Sequence, residues 1–137
     1  MIDPFSKTRF HPGLSLETWH PAGVLDYAMA VQIVSHLGFE ERVLDKPFNR
    51  FADLSGITEI HLNFKQVFDL AMERRAAYAS GPPVKSAFLA TTAGAFGIAG
   101  MFAMLMERSP IDVQIFRDID SAAAWLGVPA ESLREEQ

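Results

Sequence analysis

The apolar positions along the chain follow two alternating spacings, one typical of strands and the other of helices. Strand-like segments, apolar at every second residue or almost throughout, occupy residues 14–19, 48–54, 84–90 and 111–116. Segments with helical spacing follow each of them, at residues 24–38, 63–80, 93–108 and 121–126. A further short strand is expected at residues 8–10. This order predicts an α/β fold with a small four- or five-stranded, mostly parallel or mixed sheet and about four helices.

Local sequence signals define the ends of two of these helices. Asn63 is a favourable N-cap residue, and Gln66 three positions later is its expected capping-box partner. Gly81, followed by two prolines, is expected to end this helix. Asp120 is expected to cap the last helix, which Gly127 closes.

The composition fits one folded domain with an ordinary core. The chain has 137 residues, of which 49% are hydrophobic, enough apolar surface for one core. We expect a single domain with its core at about residues 10–128 and a frayed C-terminal tail. Eight apolar side chains are predicted to be mostly buried: Phe51, Leu54, Phe88, Leu89, Val113, Ile115, Phe116 and Trp125.

Charge and residue usage exclude several classes of function. The net charge of −5 argues against nucleic-acid binding, which leaves a basic footprint. The one adjacent basic pair, Arg74-Arg75, is expected on a solvated face or beside a carboxylate. The absence of cysteine excludes disulfides and thiol nucleophiles. The four histidines form no close pair with metal-ligand spacing. We therefore expect no metal site and no cofactor.

The apolar segments are too short to indicate a membrane protein. The longest tract, residues 93–106, is interrupted by glycines and is shorter than a membrane span. The N-terminal residues do not have the apolar stretch of a signal peptide. A cytoplasmic protein without membrane insertion is therefore expected.

Three segments together resemble one known family. GVLD at residues 23–26, DLSGIT at residues 53–58 and DVQIFRDIDSAAAWLGV at residues 112–128 resemble STAS domains, the sulfate transporter and anti-sigma-factor antagonist family. The likeness is to the divergent SpoIIAA-like branch and spans about residues 14–128. It implies a small sheet with helices packed against it.

The resemblance also implies a regulatory or binding function. Many family members are phosphorylated by a partner kinase on a serine at the start of the helix that follows the DLSG strand. Asn63 occupies that position here and cannot be phosphorylated. Other STAS-like domains bind proteins, nucleotides or apolar small molecules. The resemblance therefore implies binding or regulation without the phosphorylated serine.

Polar residues follow three of the predicted strands and form a candidate ligand site. They are Asp53, Ser55, Thr91, Thr92 and Arg117. Ligands of parallel sheets bind beyond the carboxyl ends of the strands, and an arginine there suits a small anion. A structural alternative is open, in which Thr92 caps its helix and Arg117 pairs with Asp53 or Asp118.

The leading hypothesis is a non-enzymatic STAS-like regulatory or binding domain that recognises a protein partner or a small anionic or apolar ligand. The alternative is a small enzyme acting at the crevice beyond the strand ends, although the sequence contains no catalytic signature. An apolar cavity with few titratable groups would favour binding, and a strongly shifted pKa in the crevice would favour catalysis. The methionine-rich helical segment at residues 101–106 is a candidate face for a homodimer.

Overall fold

The computed structural model describes residues 7–135. Seven strands and four α-helices are assigned within this range. The strands are β1 (Thr8–His11), β2 (Leu16–Trp19), β3 (Gly23–Asp26), β4 (Asn49–Asp53), β5 (Ile57–His61), β6 (Val84–Leu89) and β7 (Ile111–Phe116). The helices are α1 (Tyr27–Val43), α2 (Phe64–Ala77), α3 (Ala93–Leu105) and α4 (Ile119–Leu126). The α/β class predicted from the alternating pattern is confirmed.

Five of the strands form the main sheet, in the order β1-β2-β4-β6-β7. The first pair is antiparallel and the other three pairs are parallel, so the sheet is mixed, as predicted. Parallel neighbours require a crossover connection, and α1, α2 and α3 supply these connections. The carboxyl ends of β2, β4, β6 and β7 therefore lie along one edge of the sheet.

A second sheet of two parallel strands, β3 and β5, was not predicted. Residues 24–26 were expected to begin a helix, but they belong to β3, and Asp26 caps α1 through a 2.9 Å hydrogen bond from the backbone N–H of Met29. The helix also continues beyond Gly38 to Val43. Strands of four and five residues with several exposed positions carry too few apolar residues to reveal a period of two.

The N-terminal cap agrees with the sequence at α2 and differs at α4. The expectation that Gly81 ends α2 was wrong, because the helix ends at Ala77 with Tyr78 as its C-cap. Asn63 Oδ1 accepts a hydrogen bond from the backbone N–H of Gln66 at 2.9 Å, and Gln66 Oε1 accepts one from the backbone N–H of Asn63 at 3.0 Å. The expected capping box is therefore confirmed. Asp118, rather than Asp120, caps α4, so that prediction was wrong. The helix begins two residues earlier than expected, which places Ile119 against the core.

The two faces of the main sheet are covered differently. One face, called here the α4 face, packs against α4 and the short 3-10 helix at Ala130–Leu133. The other, called the three-helix face, packs against α1, α2 and α3. Side chains alternate along β2, so Leu16 belongs to the α4 face and Trp19 to the three-helix face.

The core contains the eight predicted side chains, four fully and four partly buried. Phe51, Leu54, Leu89 and Val113 are buried, and the other four are half-buried members of the same clusters. In the methionine-rich segment Met106 is 1% exposed and Met104 is 63% exposed. A homodimer through this segment therefore stays a prediction. No helix within residues 7–135 is long and apolar enough to cross a membrane.

Candidate functional site

A cavity of about 130 Å³ lies between the three-helix face and helices α1, α2 and α3. Its lining is apolar over most of its surface, with Trp19 and Phe88 from the sheet and Ile33, Ile98 and Phe102 from the helices. The space exists because several lining positions carry only a methyl group: Ala30, Ala52 and Ala99. Protein interiors are normally filled to near crystal density, so a cavity of this size is a distinct feature of the fold.

One end of the cavity is polar because three neighbouring strands place polar residues side by side on this face. Glu17 of β2 lies opposite Arg50 of β4, which lies opposite Ser86 of β6. All three line the cavity. Glu17 and Arg50 are 3% and 6% exposed. Charged side chains are rarely this deeply buried without partners, which makes this row the most unusual part of the structure.

Glu41 of α1 is the partner of two buried arginines. Arg74 of α2 donates from Nη1 to Glu41 Oε2 at 2.8 Å and from Nη2 to Oε1, and Arg50 donates from Nη2 to Oε2 at 2.7 Å. Arg50 also donates from Nε to the Phe48 carbonyl at 3.0 Å. Burial lowers the pKa of Arg74, and the carboxylate of Glu41 opposes this effect. The expectation of a carboxylate partner is confirmed for Arg74.

Glu17 faces a second carboxyl group and a histidine. His36 Nε2 lies 3.7 Å from Glu17 Oε2 and 3.2 Å from Glu40 Oε1. Burial raises the pKa of Glu17 to about 9; the hydrogen bond and negative charge of Glu40 add to the rise, and Arg50 opposes it. Glu17 is therefore protonated, and carries no charge, near neutral pH.

The permanent charges that line the cavity are already paired. Arg50 and Arg74 both donate to the carboxylate of Glu41, so neither guanidinium group is left without a counterion. An anionic ligand would add an uncompensated buried charge, which is costly in a low-dielectric site. This pairing favours a neutral ligand.

Two buried polar atoms at this end of the cavity have no hydrogen-bond partner within residues 7–135. They are Arg74 Nε, which carries a proton, and Glu17 Oε2. Both side chains line the cavity. A buried donor without a partner costs about 1–3 kcal/mol, so a ligand that accepts from the Nε–H of Arg74 would recover that energy.

The strand ends lie together, as the sequence predicted, but their side chains have other contacts. Asp53 is adjacent to Leu89, and Leu89 to Phe116, across β4, β6 and β7. Asp53 Oδ1 accepts a hydrogen bond from the backbone N–H of Ser55 at 2.9 Å. His20, which follows β2, places Nε2 4.0 Å from Asp53 Oδ2 and 2.7 Å from the Leu133 carbonyl.

The remaining predicted site residues lie at the surface. Thr91 is exposed, and Thr92 Oγ1 caps α3 by accepting from the backbone N–H of Ala95 at 3.2 Å. The guanidinium group of Arg117 lies 4.2 Å from the centre of the Phe96 ring. Within the described part of the chain Arg117 pairs with neither Asp53 nor Asp118. The structural alternative therefore holds for Thr92 and fails for Arg117.

None of the predicted site residues is among those that line the cavity. Asp53, Ser55, Thr91, Thr92 and Arg117 belong to the strand-end edge, and Asn63 caps α2 at the surface. Ala52 and Leu54, on either side of Asp53, do line the cavity. An anion site at the strand ends stays a prediction.

Sequence reasoning missed the residues of the polar end of the cavity. Two signals were present. His36 and Glu40 are four residues apart on a helix, which places them on one face. Arg74 continues the apolar side of α2 formed by Val67, Leu70 and Ala71. A charged residue on an apolar helix face indicates a buried partner, but the sequence does not show which carboxylate it is.

Comparison of the chain with protein-family models finds no matching model, and comparison with curated proteins finds no matching relative. The STAS resemblance therefore stays a prediction from the three sequence segments that suggested it.

Proposed function

We propose that this protein is a STAS-like binding domain whose cavity takes up a small, neutral, mostly apolar molecule with one hydrogen-bond acceptor. The observation that carries the proposal is the cavity beneath α1, α2 and α3, apolar along its walls and polar at one end. Binding sites for small molecules are typically concave and apolar, with a few polar groups that fix orientation.

The volume of the cavity sets the size of the ligand. An engineered apolar cavity of about 150 Å³ takes up benzene, and the cavity here is about 130 Å³. The expected ligand is therefore a single six-membered ring or a branched chain of similar bulk.

The polar end of the cavity sets the chemistry of the ligand. The Nε–H of Arg74 is a buried donor without a hydrogen-bond partner within residues 7–135, and this side chain lines the cavity. A carbonyl or ether oxygen accepts such hydrogen bonds without adding charge. A neutral ketone, ester or amide is thus the preferred class.

The family resemblance supports binding as the basis of regulation. Asn63 stands where the resemblance places the phosphorylated serine, and its side chain is engaged in the capping box of α2. We therefore propose that position 63 is not a phosphorylation switch. Ligand uptake beneath α2 is the proposed regulatory signal instead.

Calorimetric melting with three matched probes tests the proposal. Cyclohexanone has the ring and the acceptor, methylcyclohexane has the ring alone, and cyclohexanecarboxylate carries a charge. Because a ligand that binds only the folded state stabilises it, cyclohexanone should raise Tm most, methylcyclohexane less, and the carboxylate not at all. Equal shifts for cyclohexanone and cyclohexanecarboxylate would contradict the proposed chemistry.

A pair of variants locates the binding site. Ala99→Leu places a larger side chain into the cavity, and Ala28→Leu adds the same atoms at an exposed position of α1. The Tm shift produced by cyclohexanone should disappear in Ala99→Leu and persist in Ala28→Leu. A shift retained in both variants would show that the ligand binds elsewhere.

A small enzyme acting in the same cavity is the second candidate, and the shifted pKa of Glu17 is the observation that favours it. A carboxyl group that is protonated at neutral pH can act as a general acid on a bound carbonyl compound. Deuterium exchange next to the carbonyl of cyclohexanone, followed by NMR in D₂O, tests this candidate. Catalysis requires exchange that is faster with the protein and is lost in Glu17→Gln.

A further inference from the structure

We propose that Glu17, His36 and Glu40 form a binding site for a divalent transition-metal cation beside the polar end of the cavity. The three residues come from only two elements. His36 and Glu40 lie one turn apart on α1, and Glu17 faces them from β2. A metal ion here displaces the proton of Glu17, whereas the ligand proposed for the cavity accepts from Arg74 and does not require the metal.

The donor atoms have the spacing of a metal site. His36 Nε2 is 3.2 Å from Glu40 Oε1 and 3.7 Å from Glu17 Oε2, and the three donor atoms all lie within 4.8 Å of one another. Ligands held about 2.1 Å from a tetrahedral metal ion are about 3.4 Å apart. The two distances from His36 Nε2 lie on either side of this value, as expected for ligands of one metal ion.

Burial and missing hydrogen bonds give independent support. The Glu17 side chain is 3% exposed, and its Oε2 atom accepts no hydrogen bond within the described residues. Glu40 Oε1 is likewise buried without a hydrogen-bond partner there. Buried polar atoms of native proteins are nearly always satisfied. Two such oxygens that face one histidine indicate a missing partner with positive charge.

The neighbouring arginines do not supply that charge through contact. Arg74 and Arg50 both donate to Glu41, and the ion pairs of these guanidinium groups within residues 7–135 are all with Glu41. Glu17 and Glu40 are thus left to a partner other than an arginine. That partner is either a metal cation or a proton shared among Glu17, Glu40 and His36, and only a metal site predicts that the chain binds Co²⁺ here.

The ligand set indicates the class of metal. One imidazole nitrogen and two carboxylate oxygens suit Zn²⁺, Mn²⁺, Fe²⁺ or Co²⁺, whereas Ca²⁺ and Mg²⁺ prefer oxygen ligands alone. Three protein ligands leave at least one coordination position open. No pair of histidines marks this site in the sequence, because His36 is joined by two glutamates and not by a second histidine.

Titration of the full chain with Co²⁺, after removal of metals with a chelator, tests the proposal. We expect one Co²⁺ per chain, with visible absorption that reports mixed nitrogen and oxygen coordination, and competition by Zn²⁺. His36→Ala and Glu40→Gln should each weaken binding at least about tenfold. Circular dichroism establishes that each variant is folded. Glu40→Gln is expected to disturb the fold less than a substitution of Glu17, because the Glu40 side chain is more exposed.

The chain contains a matched control at its surface. His61 Nε2 lies 3.3 Å from Glu59 Oε2, but these side chains are 64% and 61% exposed. His61→Ala should leave Co²⁺ binding unchanged. Absence of binding at about 1 mM Co²⁺, or equal affinity in the parent and His36→Ala, would overturn the proposal and leave a shared proton as the occupant. Loss of binding in His61→Ala would also overturn it, because it would place the metal at the surface pair.

Discussion

The two faces of the main sheet use the same strands for different purposes. On the α4 face Leu16, Phe51, Ala122 and Leu126 form an apolar cluster. The titratable side chains beside it, His20 and Lys85, each contact a backbone carbonyl. On the three-helix face the same strands contribute Glu17 and Arg50 to a cavity and a buried ionic cluster. The α4 face is packed as an ordinary core. On the three-helix face the cavity lowers the packing energy, and the buried charges cost desolvation free energy.

The contrast between the two faces indicates where a small α/β fold carries its function. Cavities and buried charges both reduce stability unless they are compensated. Here they occur together on one face, and the opposite face has an ordinary apolar cluster. Such a concentration of unfavourable features is typical of a site that binds something.

The largest loss of stability is expected from breaking the buried ionic cluster of Glu41, Arg50 and Arg74. Glu41→Gln leaves Arg50 and Arg74 buried without their counterion, and loss of one partner of a buried pair costs about 3–5 kcal/mol. The free energy of unfolding in urea measures the loss. Asp69→Asn, which removes the partner of Lys65 at the surface, should cost less than about 1 kcal/mol. Similar losses in the two variants would show that the buried ion pairs of Glu41 contribute no more to stability than the surface pair of Asp69.

One substitution made on each face should have opposite consequences. Ala123 and Ala99 are 4% and 2% exposed, on the α4 face and beside the cavity respectively. Ala123→Leu overpacks a filled core and should destabilise the protein by about 1–3 kcal/mol. Ala99→Leu has space to occupy and should leave the stability unchanged or raise it. Chemical denaturation of both variants decides the matter, and a larger loss at Ala99 would contradict the cavity.

Glu17→Gln should make the stability less dependent on pH. The pKa of Glu17 is raised from 4.5 to about 9 in the folded chain, so the folded state holds a proton that the unfolded state releases. Its contribution is complete below the unfolded pKa and is lost as the pH rises through the folded value. The groups facing Glu17 come from α1, β4 and α2: His36, Glu40, Glu41, Arg50 and Arg74.

Between about pH 5 and pH 9 the parent should therefore lose stability steadily as the pH rises. Glu17→Gln keeps a neutral side chain at every pH, so this part of the slope should be missing from its urea melts. The measurement is made with a chelator present. Parallel slopes for the parent and the variant would show that Glu17 is ionised in the folded protein.

The smallest expected effect lies on the α4 face, at the cap of α4. The backbone N–H and the hydroxyl of Ser121 donate to the Asp118 carboxylate and hold its pKa below 3.8. This stability is present above the unfolded pKa and is lost as the pH falls through the folded value. Asp118→Asn caps without a charge, so the variant should lose less stability than the parent in acid melts.

The sequence was sufficient for most elements of the fold because their signals are local. The capping box at Asn63, the strand at residues 111–116 and the glycine at position 127 each depend on neighbours in the chain. The small sheet of β3 and β5 depends on pairing between segments about thirty residues apart, with little apolar pattern in either. Its absence from the sequence-based prediction has that physical cause.

The site was harder to predict because its parts come from distant elements. Asp53, Ser55 and Arg117 could be grouped at the strand ends by a general rule for parallel sheets. No comparable rule places Glu17 of β2 beside Arg50 of β4 and Arg74 of α2, because strand order and register are needed first. The cavity itself results from small residues at Ala52 and Ala99, and alanine is equally common in filled cores.

Methyl NMR during a titration with cyclohexanone shows whether the cavity takes up a ligand. Ile33, Ile98 and Ile111 line the cavity, and Ile119 packs on the α4 face. With isoleucine methyl groups labelled, binding in the cavity should produce saturable chemical-shift changes at Ile33, Ile98 and Ile111 and none at Ile119. Shift changes of similar size at Ile119, or no change at the cavity residues with cyclohexanone at about 10 mM, would contradict the claim that this face of the sheet is a ligand-binding site.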